Sequence, residues 1–505
     1  MLVTLSAAAL VGVDAKPVSV EVRVGRGIHF TLGGLAGSTV RESHTRIRSA
    51  IEVSGYRWPG RGITVNLAPA DLPKEGAAYD LPLALGILAA SGQLPAASLH
   101  GTLFAGELAL NGDLRAVRGA LAMATSLPEL LHTMLLPEDS AVEAALSGGP
   151  NIYGAASLSA VVGHLTGSAP LERTLNPIAD EMFCDAHSDE EATASLAAVR
   201  GQQGALRALE VAAAGGHHLL MIGSPGVGKT LIARGASSLM PPMSAVEMLE
   251  VNRIHSVHRQ ATGELKFGRP FRSLHHSTTL TTLIGGGRDP RPGEVSLAHL
   301  GVLFLDELGE WQPHILNALR QPIESGSVNV ARSLATVDFP AEFQLIAACN
   351  PCPCGYHGHK HHPCDCSLHK ISTYRKRFSG PLLDRIDIQV QLQPVPAEAM
   401  DPKIASTPVS ERQARVWAAR KIQQRRNPGG RPNGRLKPAE LHKYAALSKA
   451  RRVFLLEAME LYQFSARSHD RVLCLARTIA DLAGRLNIVD GDIAEAIQYR
   501  RSEHV

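Results

Sequence analysis

Residues 223–230, Gly223-Ser224-Pro225-Gly226-Val227-Gly228-Lys229-Thr230, constrain this chain more than any other stretch. They complete a GxxxxGK[ST] loop, preceded by the apolar run HHLLMIG and followed by TLIAR, a strand and a helix by pattern. The glycines let backbone N–H groups turn inward around phosphate oxygens at a helix N-terminus, where the dipole favours anions. Lys229 would then reach the β- and γ-phosphates, and the Thr230 hydroxyl would ligate Mg²⁺. A glycine-rich turn arising by chance would lack the flanking strand and helix. The expectation is an α/β parallel-sheet core that takes ATP and Mg²⁺.

A second run fits the first. GVLFLDELGEW is an apolar strand ending in adjacent carboxylates, Asp306 and Glu307. Ligands of open α/β sheets bind at the carboxyl ends of the strands. Asp306 suits the Mg²⁺ shell and Glu307 suits polarising an attacking water. An apolar run before two acids is weak alone; following a complete phosphate loop, it points to nucleotide hydrolysis.

At 505 residues the chain exceeds one ordinary core, so two to four domains are expected. Residues 1–165 alternate strand-like runs (VSVEVRV, GITVNLAP) with alanine-rich helical ones, and residues 166–190 read as a linker. Residues 191–392 alternate apolar strands with helices, and residues 393–505 are helical only. A net charge of +4 permits a nucleic-acid partner without arguing for one. The opening apolar run lacks the basic flank of a signal peptide, and no apolar stretch reaches membrane-spanning length. With seven clustered, odd-numbered cysteines, a reducing, cytoplasmic setting is expected and a membrane is not.

The order of these parts resembles the AAA+ ATPases: phosphate loop, acidic strand, a polar sensor at the next strand end, then an arginine that completes a neighbour's site. FQLIAACNP supplies Asn350 as the sensor, and SGPLLDRIDI supplies Arg385 as the arginine finger, with Arg377 in reserve. Such a finger delivers a cation to the charge that develops on the transferring phosphoryl group. The alternative for Arg385 is a structural pair with Asp384 or Asp387. In FSARSHDRVLCLARTIADL, Arg467 resembles the sensor arginine of the lid, and Arg471, one turn on, could share that role.

Three longer stretches narrow the resemblance: VNLAPADLPKEGAAYDLPLALGILAASGQL, RPFRSLHHSTTLTTLIGGGRDPRPGEVSLAHLGVLFLDELGEW and CNPCPCGY…SGPLLDRID. Together they are similar to the magnesium-chelatase-like ATPases of the ComM/YifB type, over essentially the whole chain. That family implies a homo-hexameric ATPase associated with natural transformation and acting on branched DNA. It implies an N-terminal Lon-like, S5-type α+β domain, an AAA+ P-loop core and a C-terminal helical lid.

Several residues bear on DNA. VNVAR and ATVDF read as a β-hairpin around Arg332, which would offer a phosphate contact without sequence information. The other reading is a hairpin that packs on a neighbouring subunit. Arg288 and Arg291, in a Gly/Pro-rich loop, line the pore or are solvated. The segment RKIQQRRNPGGRPNGRLK, residues 420–437, carries seven basic residues and no acid, and is expected to be a flexible basic arm. Its alternative is ordinary solvated surface.

A Lon-type peptidase needs a serine nucleophile and a lysine base. At the positions the resemblance assigns them stand Ala78 and Leu121, so peptide hydrolysis has no mechanism here. A chelatase-type motor that remodels a partner protein is the remaining alternative to a DNA motor. The end of the chain at Val505, directly after the lid helices, and the foreign N-terminal region weigh against it.

CNPCPCGYHGHKHHPCDCS, residues 349–367, holds five of the seven cysteines. Cys349 sits on the apolar sensor strand and reads as buried. Cys352, Cys354, Cys364 and Cys366 can close a tetrahedral Zn²⁺ shell, which leaves no open catalytic position. Their C-x-C spacing is tighter than a zinc ribbon's, and the intervening histidines offer other ligands. A reduced, metal-free loop is the alternative. As a zinc site, the stretch would couple Asn350 to Arg385.

Overall fold

The computed structural model describes residues 1–126, 132–176, 189–258, 265–287, 290–331, 336–359, 362–378, 382–395 and 407–500. The middle of the expected linker, residues 177–188, falls outside them.

The opening run Leu2–Val11 is itself a strand, paired antiparallel with Asp14–Gly25. These strands sit centrally in a seven-stranded mixed sheet built from residues 2–155. Their alternation buries Val18, Val20 and Val22 on one face. The helix Asp80–Ala90 packs there and is buried throughout, which explains its apolar sequence without an amphipathic period.

The second sheet has five strands, all parallel, in the order Phe271–Leu274, Val302–Leu305, Gln344–Cys349, Leu219–Gly223, Ile388–Leu392. Both faces are covered, so the strands read as unbroken apolar runs; Val302, Leu303, Phe304 and Leu305 are all fully buried. Burial of each such side chain contributes roughly 1.5–3 kcal/mol. The phosphate-loop strand Leu219–Gly223, first in chain order, lies between the fourth and fifth strands of this sheet, where the connections reverse direction.

From residue 409 on the chain is helical, with Val409–Arg426, Lys449–Tyr462, Ala466–Leu482 and Asp490–Gln498 the longer helices. This bundle shares a core with the helix Gln203–Gly215 through Val416, Leu475 and Leu209. The buried Glu210 is neutralised there by Arg412 and by Arg415 Nη2 at 3.0 Å. Among the described residues no helix is long and apolar enough to cross a membrane.

The N-terminal sheet rests on the core at one corner. Its tight turn brings Gly12 so close to the hairpin that an added Cβ would lie 2.5 Å from Val337 Cγ1. Nearby, Arg253 pairs with Asp14 at 3.3 Å and the Gly119 N–H donates to the Ser256 carbonyl at 3.0 Å.

Candidate active site

Strand register assembles the site. Ile222 lies opposite Cys349, and Leu305 opposite Ala347 and Leu274. The residues that follow these strands therefore emerge side by side at one sheet edge: the phosphate loop, Asp306-Glu307, Asn350 and His275-His276.

The loop turns at Gly226 (φ +79°) and Gly228 (φ +92°), conformations that a side chain would strain. Lys229 opens the helix Lys229–Arg234, and its Nζ folds back over the loop. It donates to the carbonyls of Gly223 (2.6 Å) and Ser224 (2.9 Å) and to Asn350 Oδ1 (3.0 Å). Burial lowers its pKa, opposed by Cys349, Asp306 and Glu307. An ammonium in this place is short of counter-charge, as suits a group meant to meet phosphate. Cys349 is buried on its strand, as expected, and burial pushes its thiol up to about 12.

Thr230 Oγ1 donates to Asp306 Oδ2 at 3.3 Å, which puts two hard oxygen ligands side by side. That donor set fits Mg²⁺, which takes a few protein oxygens and fills its octahedron with water and phosphate. Glu307 adopts φ +50°, unusual for a side-chain-bearing residue. The Glu307 N–H donates to Asp306 Oδ1 at 2.9 Å, and the buried Trp311 donates through Nε1 to the Asp306 carbonyl at 2.9 Å. Glu307 Oε2 meets His276 Nδ1 at 3.1 Å, and the His275 ring sits beside that of His276, tilted by 38°, with 3.9 Å between centroids.

Two functional neighbours escaped sequence reasoning. His276 carried a faint signal, since HHST directly follows the strand beside the acidic one. Gln202 carried none: its Nε2 donates to the carbonyls of Val227 (3.2 Å) and Gln393 (2.8 Å), tying the phosphate loop to the end of the last strand.

The arginines stand elsewhere. Arg385 is buried and pairs with Glu324 at 2.5 Å, not with Asp384 or Asp387. Arg467 pairs with the same Glu324, so the two candidate arginines share one carboxylate within the chain. Arg471 does not join them. Its Nε pairs with Asp387 Oδ1 at 3.2 Å, and it donates to the Gly434 carbonyl. Burial alone would raise the Asp387 carboxyl; Arg471 and His217 overrule it and hold it far below the usual range. Arg471 is thus part of a buried structural pair. Arg377 reaches the Gly309 carbonyl and Glu310, just past the acidic pair.

The expected basic arm is folded. Residues 420–426 belong to the helix Val409–Arg426, and Arg426 makes a bidentate pair with Asp481 at 2.7 and 2.8 Å. Arg431 pairs with Glu440 at 2.8 Å, and Arg435 donates to the Ile323 and Phe343 carbonyls. Of the run's seven basic residues only Lys421, Arg425 and Lys437 are exposed. The charges found partners distant in sequence, which a run of basic residues cannot reveal.

The hairpin forms from Ser327–Ala331 and Thr336–Pro340, antiparallel, with Val328, Val337 and Phe339 buried at its base. Arg332 and Arg288 lie outside the described residues; Arg291 sits in a short ribbon against Gly285–Gly286. In the N-terminal region Ala78 is partly buried against an apolar cluster, and Leu121, in the helix Ala120–Ser126, is fully buried.

Cys352, Cys354, Cys364 and Cys366 converge, with all four sulfurs within 4.8 Å of one another. A hydrogen bond from the Tyr356 N–H leads the effects that bring the Cys354 thiol down to about 6. The four thiols are a donor set that suits zinc.

Comparison with known proteins agrees with this geometry. Residues 195–400 match the family model "Magnesium chelatase, subunit ChlI", residues 20–140 "Subunit ChlI of Mg-chelatase", and residues 406–500 "Magnesium chelatase, subunit ChlI C-terminal". The chain is 42% identical over 496 residues to the uncharacterized protein YifB of Salmonella typhimurium, covering 97% of this chain and 96% of the relative. It is 41% identical over 503 residues to the competence protein ComM of Haemophilus influenzae, with the same coverage. To YifB of Escherichia coli it is 41% identical over 499 residues, again covering 97% and 96%.

Proposed function

Because the chain belongs to the ComM/YifB family of magnesium-chelatase-like AAA+ proteins, we propose that it is an ATP-driven ring motor that binds and translocates DNA, promoting branch migration during homologous recombination and natural transformation. The observation that carries the reading is the convergence of Lys229, Thr230, Asp306, Glu307 and Asn350 at one sheet edge. The competence role follows the printed name of the relative from Haemophilus influenzae.

In this reading residues 1–165 form a platform, 166–190 a linker, 191–392 the motor core and 393–505 the lid. Residues 223–230 cradle the phosphates, and Lys229 leaves its backbone carbonyls to neutralise them. Thr230 and Asp306 hold Mg²⁺, which supplies charge neutralisation to the transferring phosphoryl group. Glu307 orients and polarises the attacking water, with His276 fixing its carboxylate. Asn350 senses the γ-phosphate through its contact with Lys229. Arg385 acts in trans across a homo-hexamer, and Arg467 follows the lid; both must leave Glu324 to do so. The hairpin grips non-sequence-specific single-stranded or branched DNA through Arg332. A structural zinc ion on the four cysteines completes the cofactor set, and the setting is cytoplasmic.

ATP turnover with and without branched or single-stranded DNA tests the reading. Strong stimulation that disappears with Arg332→Ala is expected. Turnover indifferent to any DNA would favour the second reading, a protein-remodelling motor, which the chelatase family models over all three regions support.

A further inference from the structure

The four cysteines do not stand apart from the nucleotide site. Cys352 and Cys354 lie two and four residues beyond Asn350, and Cys366 immediately precedes Ser367, whose side chain caps the helix Leu368–Lys376. The sulfurs of Cys352 and Cys354 are 3.2 Å apart, those of Cys352 and Cys364 3.7 Å, and those of Cys354 and Cys364 3.5 Å. A tetrahedral shell with zinc–sulfur bonds of about 2.3 Å has sulfur–sulfur edges of about 3.8 Å. A disulfide would hold its sulfurs about 2.05 Å apart. The spacing is that of a metal–thiolate shell, and all four cysteines are free. Cys352 is fully buried and accepts a hydrogen bond from the His357 N–H at 3.3 Å, a support typical of a ligand sulfur. Four soft sulfurs select zinc over the hard Mg²⁺ of the neighbouring site.

What the cluster touches gives it a role. Among the described residues between Asn350 and Ser367 there is no helix or strand, so backbone ladders do not hold this stretch. Ordering such a segment costs conformational entropy at every residue, which a metal cross-link offsets. After Cys354 the chain turns at Gly355 (φ +86°) and lies flat on the phosphate loop. A Cβ added at Gly355 would sit 2.6 Å from Pro225 Cδ, 2.9 Å from Pro225 Cγ and 3.9 Å from Asn350 Cγ. On the far side, the helix that follows Cys366 lays the Tyr374 ring over Gly309, two residues past Glu307, where a Cβ would lie 2.1 Å from the ring. The cluster thus braces the phosphate loop, the sensor asparagine and the segment after the acidic pair together.

We propose that Cys352, Cys354, Cys364 and Cys366 bind a zinc ion that clamps the phosphate loop through the Gly355–Pro225 contact, so that zinc occupancy sets nucleotide affinity. The inference rests on the zinc site named in the proposed function and adds its consequence. Metal holds Gly355 against Pro225; without it the loop is released, and the cradle must be ordered by the nucleotide itself, which weakens binding.

The test uses the full chain. Elemental analysis should find about one zinc per chain after purification without added metal. Titration with a fluorescent ATP analogue should then show affinity falling tenfold or more when zinc is stripped with a mercurial and a chelator, and recovering when zinc, but not Mg²⁺, is returned. Gly355→Ala should retain zinc and weaken nucleotide binding in the same direction. Absence of zinc would overturn the site and the clamp while leaving the ATPase reading untouched. Zinc whose removal leaves affinity unchanged would overturn the clamp alone. Should the stripped chain unfold by circular dichroism, Gly355→Ala decides: retained zinc with wild-type affinity contradicts the proposal.

Discussion

The two sheets of this molecule make opposite use of similar scaffolding. The N-terminal sheet and the AAA+ core are both layered from strands and alanine-rich helices, and both resemble domains that carry catalysis. At the edge of the core sheet, five polar residues from three strand ends meet within hydrogen-bond distance of one another or of the phosphate loop. In the N-terminal region, the half-buried Ala78 and the fully buried Leu121 stand where the proposed Lon-type resemblance would place a serine and a lysine. The contrast teaches that the scaffold and the chemistry are inherited separately: a fold persists on its packing, and an activity persists only where particular side chains do.

The largest expected effects, of comparable size at Glu307 and Arg385, lie on the active side of that comparison. Glu307→Gln should lower ATP turnover by about 10²–10³-fold while nucleotide still binds, since it removes the general base and little else. The converse substitution pair, Ala78→Ser with Leu121→Lys, should yield no peptide hydrolysis. It should also lower the melting temperature, because Leu121 is fully buried and a lysine there would be an unpaired buried charge. Peptidase activity in that variant would break the comparison.

Arg385→Ala should reduce turnover by about 10³-fold in assembled rings if the residue is presented in trans. Its burial beside Glu324 makes this a sharp test, for a merely structural arginine would lower stability before activity. His276→Ala should cost about tenfold in kcat with KM nearly unchanged, because it frees the Glu307 carboxylate without touching the phosphate loop.

The smallest effect concerns pH, and here the two regions pull in opposite directions. Burial pushes the Glu143 carboxyl, where the N-terminal sheet meets the core helix Ala245–His258, up to about 7, with Ser256 and the Leu121 backbone pulling the other way. A raised carboxyl stabilises the fold below its unfolded value, about 4.3, and that contribution is lost as pH rises through 7. Glu143→Gln should therefore melt about 2–4 °C above wild type at pH 8 and lose that advantage at pH 5. In the core, burial pushes His218 down to about 3. The stability of its neutral form is full above the unfolded value, about 6.5, and declines as pH falls from there toward 3. A melting-temperature gap for Glu143→Gln that does not change with pH would contradict this assignment.

Much of the active edge was legible because its signals are local. The phosphate loop and the acidic strand each fit within about a dozen residues, and the AAA+ resemblance, with the apolar run before it, predicted that Asn350 would follow a buried strand to the same edge. Long-range pairing was not legible. The two candidate arginines meet on Glu324, which no spacing announces, and Arg471, on the helix Ala466–Leu482, is engaged by Asp387 just before the strand Ile388–Leu392. The basic run was misread for the same reason: Asp481, which neutralises Arg426, lies 55 residues away. The hairpin was read correctly from alternation, and the convergence of the cysteines from composition, since short C-x-C pairs have few ways to arrange themselves.

In the proposed function, hydrolysis at Lys229 and Glu307 drives movement on DNA. Strand exchange at a synthetic four-way junction, followed with ATP for the wild-type chain and for Glu307→Gln, tests it most directly. The account predicts that the wild type dissociates the junction by branch migration and that Glu307→Gln binds the junction without moving it. A wild-type chain that hydrolyses ATP yet leaves the junction intact would contradict it.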